Sequence, residues 1–176
     1  MRKPQLEEVI RAASILTARK EFILFGSQSV FSVTDNPPVE VLMSRECDVW
    51  LQDEPAVQEL LKRELGASSA FEKARGFYLD PLPPDLPFVP TGWEARLVEL
   101  MIGDIRLRCL EIHDLIVSKL SAGRLKDYEF IAAVVMAKLA RPGEVVRRIQ
   151  TFSDPHTQAV LLARLRISTE STDVRF

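Results

Sequence analysis

Two carboxylates two residues apart, Glu46 and Asp48, sit in the otherwise apolar run SRECDVWL. On an extended strand, residues i and i+2 point to one face, so the acids converge while Cys47, Val49 and Leu51 turn toward a core. Paired hard oxygens suit Mg²⁺ or Mn²⁺, ions that take few protein carboxylates and fill the remaining positions with phosphate oxygens and water. Taken alone, the pair fits a solvated edge strand with two surface acids equally well.

A second candidate precedes it. FILFGSQSVF packs large apolar residues against Gly26 and Ser27 and then turns polar. A glycine ending a buried strand lets backbone approach a ligand closely, and the serine after it can place its hydroxyl beside the free N–H groups of a helix start, which favour phosphate. Gly-Ser is also ordinary turn chemistry. The third candidate is HDLIVSKLSAGRLKDYEF, with Lys119, Arg124, Lys126 and Asp127. Lys119 and Lys126 share a face if one helix runs through, whereas a break at Gly123 could fold Asp127 back toward Lys119. The plainer reading is a charge-laced helix surface with Arg124 and Asp127 paired at i, i+3.

The elements that must position these residues follow from pattern. PQLEEVIRAASILTAR has apolar residues at mostly helical spacing, with Pro4 near its start. EFILFG reads as a strand buried on both faces, SQSVFSV as a short helix, TDNPPVEV as turn, CDVWLQ as a second strand, and DEPAVQELLKRELG as a helix ending at Gly66. GFYLDPLPPDLPFVPTGW, with five prolines, reads as a long irregular connection with one short strand at GFYL. WEARLVEL and DIRLRCLEI read as a hairpin, and HDLIVSKLSAG, RLKDYEFIAAVVMAKLA, GEVVRRIQTF and DPHTQAVLLARLR as helices. The expected class is α+β: a small mixed sheet flanked by helices over residues 1–111, followed by a helical bundle over 112–176 packed on it.

Composition limits the function classes. The 176 residues allow one domain with a full core, and 47% hydrophobic and 27% charged residues are ordinary for a globular chain. A net charge of −2 argues against nonspecific coating of nucleic acid. The two cysteines, Cys47 and Cys109, sit in apolar runs and cannot alone form a zinc cluster. No stretch has the h-region of a signal peptide or the roughly 18 uncharged residues of a membrane helix, so a cytoplasmic protein without membrane contact is expected.

In combination, Gly-Ser at the end of a buried strand and an acid-x-acid strand resemble the DNA polymerase beta type nucleotidyltransferase superfamily. Across residues 5 to 140, FGSQSVF, SRECDVWL, TGWEARL and CLEIHDLIVSKLSAGRLKDYEF resemble a bacterial family of uncharacterised, DUF6036-like nucleotidyltransferases allied to the AbiEii toxins of abortive-infection systems. The resemblance implies a nucleotidyltransferase fold and an activity that moves a nucleoside monophosphate from a nucleoside triphosphate to an acceptor hydroxyl. That acceptor would be an RNA such as a tRNA end, or a protein, and a cognate antitoxin is an implied partner. Carried onto this chain, it implies Glu46 and Asp48 at metal, Gly26, Ser27 and Arg124 at nucleotide, and Asp48, Lys119 and Asp127 in catalysis, with Asp127 orienting Lys119 or acting as base. Arg124 is followed by Leu125 where many AbiEii-type sequences have an acid. No third acid of the polymerase-like triad is evident: Glu94 and Glu99 are candidates, and nothing selects one. A catalytically degenerate protein that binds nucleotide or a partner is the alternative.

Other polar and aromatic residues have simpler readings. His113 suits a cap or a buried hydrogen bond, His156 a surface loop, and Trp50 and Trp93 the core. Arg147, Arg148, Arg164 and Arg166 could form an RNA-facing surface, although a solvated surface is the simpler reading.

Overall fold

A computed structural model describes residues 1–51, 54–83 and 88–170. Gln52 and Asp53, at the end of the expected second strand and the start of the helix after it, lie outside the described residues, as do 84–87 of the proline-rich connection. Helix α1 (Lys3–Thr17) leads into β1 (Glu21–Leu24), a six-residue 3₁₀ turn (Ser27–Ser32), a second 3₁₀ turn (Val39–Met43) and β2 (Glu46–Trp50). Helices α2 (Pro55–Leu65) and α3 (Ala70–Arg75) carry the chain to β3 (Tyr78–Leu82). Beyond a 3₁₀ turn at Trp93–Arg96, the hairpin is β4 (Val98–Ile102) and β5 (Ile105–Cys109). Helices α4 (Ile112–Ala122), α5 (Leu125–Met136), α6 (Pro142–Ile149) and α7 (Pro155–Glu170) complete the fold.

The architecture is mixed α+β, with five strands in the order β3-β2-β1-β5-β4. The hairpin starts later than its pattern predicts, because Trp93 to Arg96 coil into a 3₁₀ turn that buries Trp93. β1 lies in the centre, antiparallel to β2 and parallel to β5. Phe22 and Leu24 on β1 are fully buried, as are Cys47 and Val49 on β2 and Leu79 on β3. Burying such side chains contributes about 1.5–3 kcal/mol each, which outweighs the weak strand propensity of so short a segment.

β2 and β3 run parallel, as the helical crossover between them requires, with Asp48 opposite Asp80 in the register. α1 packs on α2, and α4 packs on α5, α6 and α7. A single cluster of buried apolar residues extends from Met1 to Leu165, joining the sheet to the helices that follow it. Both cysteines are buried and free. Among the described residues, no helix is long and apolar enough to cross a membrane.

Candidate active site

Gly26 takes φ +68° and ψ −169°, a region almost closed to any other residue. The reason lies across the sheet: a Cβ built on Gly26 would stand 1.7 Å from Oδ2 of Asp48. The close approach expected of this glycine is therefore to the chain's own carboxylate, which lies against its Cα. Gly26→Ala is expected to destabilise the fold by about 2–4 kcal/mol through backbone strain and displacement of Asp48. Urea unfolding checks this, and a variant with native stability would contradict the account.

Glu46 and Asp48 occupy alternate positions of β2, whose burial alternates as the period of two demands, and both line one cavity of 350 Å³. Asp80, from the paired position on β3, lines it too. Sequence reasoning missed Asp80. The acids it weighed instead lie elsewhere: Glu94 is exposed on the 3₁₀ turn, and Glu99 is exposed on the far edge strand, paired with Arg106. The signal for Asp80 was present, since a strand reached from β2 through a helix must run parallel to a sheet neighbour, and YLDPL contains a single acid.

Electrostatically, the three carboxylates differ. Glu46 accepts hydrogen bonds from Lys126 Nζ (3.0 Å) and the Tyr78 hydroxyl (3.2 Å). Burial works to raise its pKa, but Lys126 and Tyr78 bring it below the usual value. Among the described residues nothing donates a hydrogen bond to the Asp48 carboxylate. Burial, then the charges of Glu46 and Asp80, push its pKa up to about 7. Asp80 is also raised, by desolvation and by Glu46.

Opposing the acids is a buried cationic arm. α4 starts at Glu111, whose carboxylate accepts from the amides of His113 (3.0 Å) and Asp114 (3.4 Å), and ends at Gly123 in the left-handed conformation, φ +63°. His113, 8% exposed, also shares a 2.6 Å hydrogen bond between Nδ1 and Glu111. The break at Gly123 returns Asp127 to the end of α4. Lys119, only 8% exposed, donates from Nζ to Ser27 Oγ (2.9 Å) and Asp127 Oδ1 (3.2 Å) and lies 4.4 Å from the centre of the Phe130 ring. Arg124 grips the same carboxylate through Nε (2.8 Å) and its backbone amide (3.2 Å), so the i, i+3 pair forms as well.

Asp127 is completely buried. Burial would raise its pKa, but the hydrogen bond from Arg124 and the charges of Lys119 and Arg124 hold it below the usual range. Enclosed and saturated with donors, it suits orienting Lys119 and not taking a proton. Burial lowers the pKa of Lys119, an effect that Asp127 opposes. Gly26, Ser27, Glu46, Asp48, Lys119 and Arg124 thus line the cavity, with Asp127 behind its wall.

The strands and helices that build this wall fall within residues 4–154, which match the family model described as "Nucleotidyltransferase of unknown function (DUF6036)". The chain belongs to the DUF6036 family. No curated protein and no solved structure matches it. In this DUF6036 protein, the same cavity also has apolar lining, from Phe25, Leu82, Phe88 and Leu115. Phe88, 40% exposed, stacks on Phe152 with ring centres 4.6 Å apart and planes 8° from parallel. Phe25 packs with Trp50 and Trp93, which stand edge to face with centres 5.9 Å apart. Of the four arginines that could face RNA, Arg148 is engaged with Asp114 and Glu144. Arg164 Nη1 donates to the carbonyls of Leu120 and Ser121, 2.7 Å each, at the end of α4.

Proposed function

We propose that the protein is a divalent-cation-dependent nucleotidyltransferase that transfers a nucleoside monophosphate from a nucleoside triphosphate to an acceptor hydroxyl and releases pyrophosphate. The observation that carries this reading is the single cavity in which Glu46, Asp48 and Asp80, from two adjacent strands, face Lys119, Arg124 and Ser27. A polymerase beta type fold and kinship with AbiEii toxins accord with Gly-Ser ending β1 and the acid-x-acid strand next to it.

The donor set fits Mg²⁺ or Mn²⁺. Burial and the like charges of Glu46 and Asp80, which Lys119 and Lys126 offset only in part, push the Asp48 carboxyl up to about 7, and it receives no hydrogen bond among the described residues, so a cation at this carboxylate would supply the compensation that is missing. When bound, the cation would neutralise phosphate charge and acidify the attacking hydroxyl. Lys119 and Arg124 offset charge on the transferring phosphoryl group, and Ser27, fixed by Lys119, presents its hydroxyl to phosphate oxygen. The base packs against the apolar lining, on Leu82 and Phe88. The acceptor oxygen bonds to the α-phosphorus, the bond from that phosphorus to the bridging oxygen breaks, and pyrophosphate leaves with the electron pair. Asp80, whose pKa is raised, takes the hydroxyl proton.

Ligation requires ionised Asp48, so affinity for Mg²⁺ and nucleotide together is expected to rise about tenfold per pH unit below 7 and to level off near pH 8. Calorimetric titration from pH 5.5 to 8.5 measures it, and a flat profile would remove Asp48 from the metal. The reading as a whole is tested with α-labelled nucleoside triphosphates, Mg²⁺ and cell extract, run beside Asp48→Ala. Label on an acceptor that depends on Asp48 supports transfer. Binding without label would favour the second reading, a degenerate nucleotide-binding module. One observation favours that module: among the described residues no three His, Cys, Asp or Glu side chains are grouped to hold a metal by themselves.

A further inference from the structure

Lys126 stands apart from the other cations of the site. It lies in the first turn of α5, where a positive charge opposes the helix dipole, so nothing in the helix itself calls for a lysine there. Its ammonium group instead reaches across to Glu46 on β2, 80 residues away in the chain, at 3.0 Å. The lysine side chain is 53% exposed and that of Glu46 28%. Lys126 lines a second cavity, of 430 Å³, which shares Ser27, Glu46 and Lys119 with the first.

Among the described residues, four Lys and Arg side chains line the two cavities, and three are held by groups that a metal would leave in place. Lys119 and Arg124 bond to Asp127, and Arg45 to Glu72 (2.8 Å) and the Gly76 carbonyl (2.7 Å). Lys126 alone is paired with a carboxylate assigned to the metal. The other oxygen of Glu46 accepts from the Tyr78 hydroxyl, and Tyr78 occupies the facing position on β3. A neutral hydroxyl can go on donating to a carboxylate that holds a metal, and it keeps that carboxylate oriented. An ammonium group cannot share the carboxylate in the same way, because it and a divalent ion repel each other. A half-exposed ion pair contributes too little to withstand that repulsion.

We infer that Lys126 is a phosphate-binding residue released by the metal: it holds Glu46 until a divalent cation takes that carboxylate, and its freed ammonium group then pairs with an oxygen of the triphosphate. This rests on the transferase reading, in which the triphosphate meets Ser27 and Lys119 in the wall that the two cavities share. Glu46 thus has a cation before and after the exchange, and the incoming nucleotide gains one. Metal and nucleotide binding are thereby coupled, since each favours the arrangement in which Lys126 has left Glu46.

The test compares the full-length wild type with Lys126→Met and Lys126→Arg. Mn²⁺ alone is titrated first, with the free ion followed by electron paramagnetic resonance, and α,β-methylene ATP is then titrated calorimetrically at saturating Mn²⁺. Lys126→Met is expected to bind Mn²⁺ about fivefold more tightly, because no ammonium group competes for Glu46, and the nucleotide analogue about tenfold more weakly. Lys126→Arg, which keeps the charge, should move both affinities back toward the wild type. A side chain that only supports the fold would shift the two affinities in the same direction or leave both alone. The inference is overturned if Lys126→Met binds Mn²⁺ no more tightly than the wild type, or binds the analogue equally well. The transferase reading fails separately, when the wild type itself takes up neither Mn²⁺ nor the analogue, or when Asp48→Asn binds both as the wild type does.

Discussion

Asp48→Asn is expected to abolish nucleotidyl transfer, by at least 1,000-fold, and yet to make the protein more stable at pH 8. A carboxyl whose folded-state pKa is raised from 3.8 to about 7 binds its proton more tightly in the native state than in the unfolded one. The native state thus has no penalty from this group below about pH 4; stability is lost progressively as pH rises from about 4 to the folded pKa near 7, and the loss is complete above it. At 1.36 kcal/mol per pKa unit, discounted for solvent at the half-buried side chain, ionised Asp48 costs on the order of 2 kcal/mol at pH 8. Asparagine removes that cost, and since no hydrogen bond among the described residues reaches the carboxylate, little is lost in exchange. Melting should therefore occur about 4–8 °C higher than in the wild type at pH 8, and the two curves should converge below about pH 4. Added Mg²⁺ should narrow the gap by stabilising only the wild type. A variant that melts lower at pH 8 would show that Asp48 supports the fold.

The second large effect lies at Asp127. Asp127→Asn replaces a carboxylate that compensates two cations with a neutral amide, and leaves Lys119 charged and buried beside Arg124. Breaking a buried ion pair from one side costs about 3–5 kcal/mol. Unfolding free energy should fall by that amount, and transfer by more than 100-fold, because Lys119 loses its hold near Ser27. With Asp127 gone, the effect of burial on Lys119 is opposed far less, chiefly by the charge of Asp48, so residual activity should also decline at a lower pH than in the wild type. Adding Lys119→Met is expected to recover stability and no activity, which separates the electrostatic account from a packing defect. In the wild type, Asp127 acts in the opposite sense to Asp48: its lowered pKa gives stability that is present above about pH 4 and lost as acid protonates it.

These contrasts explain which parts of the site were legible in the sequence. Glu46 and Asp48 could be paired from the strand period alone, and Gly123 announced the break that brings Asp127 to Lys119, because both arrangements depend on neighbours a few residues apart. Asp80 depends on which strand lies beside β2, a choice made by the α2–α3 crossover and the burial of Leu79, and local pattern pointed instead to the acids of the hairpin. The hairpin was correctly read as two strands, yet it lies at the other edge of the sheet. Similarly, Arg148 and Arg164 read as surface residues on helical periodicity, and only tertiary packing turns them inward.

Arg164 has a wider meaning. It lies on α7, ten residues past the end of the segment shared with the family at residue 154, but its guanidinium ties down the last carbonyls of α4 and would meet a side chain at Gly123 within 2.8 Å. The corner that aims Lys119 and Arg124 is thus finished by a piece of chain outside the region by which kinship is recognised. Ancestry and mechanical completeness have different borders in this protein, so a relative with an altered α7 could keep every shared cavity residue and still hold its cations at a different angle.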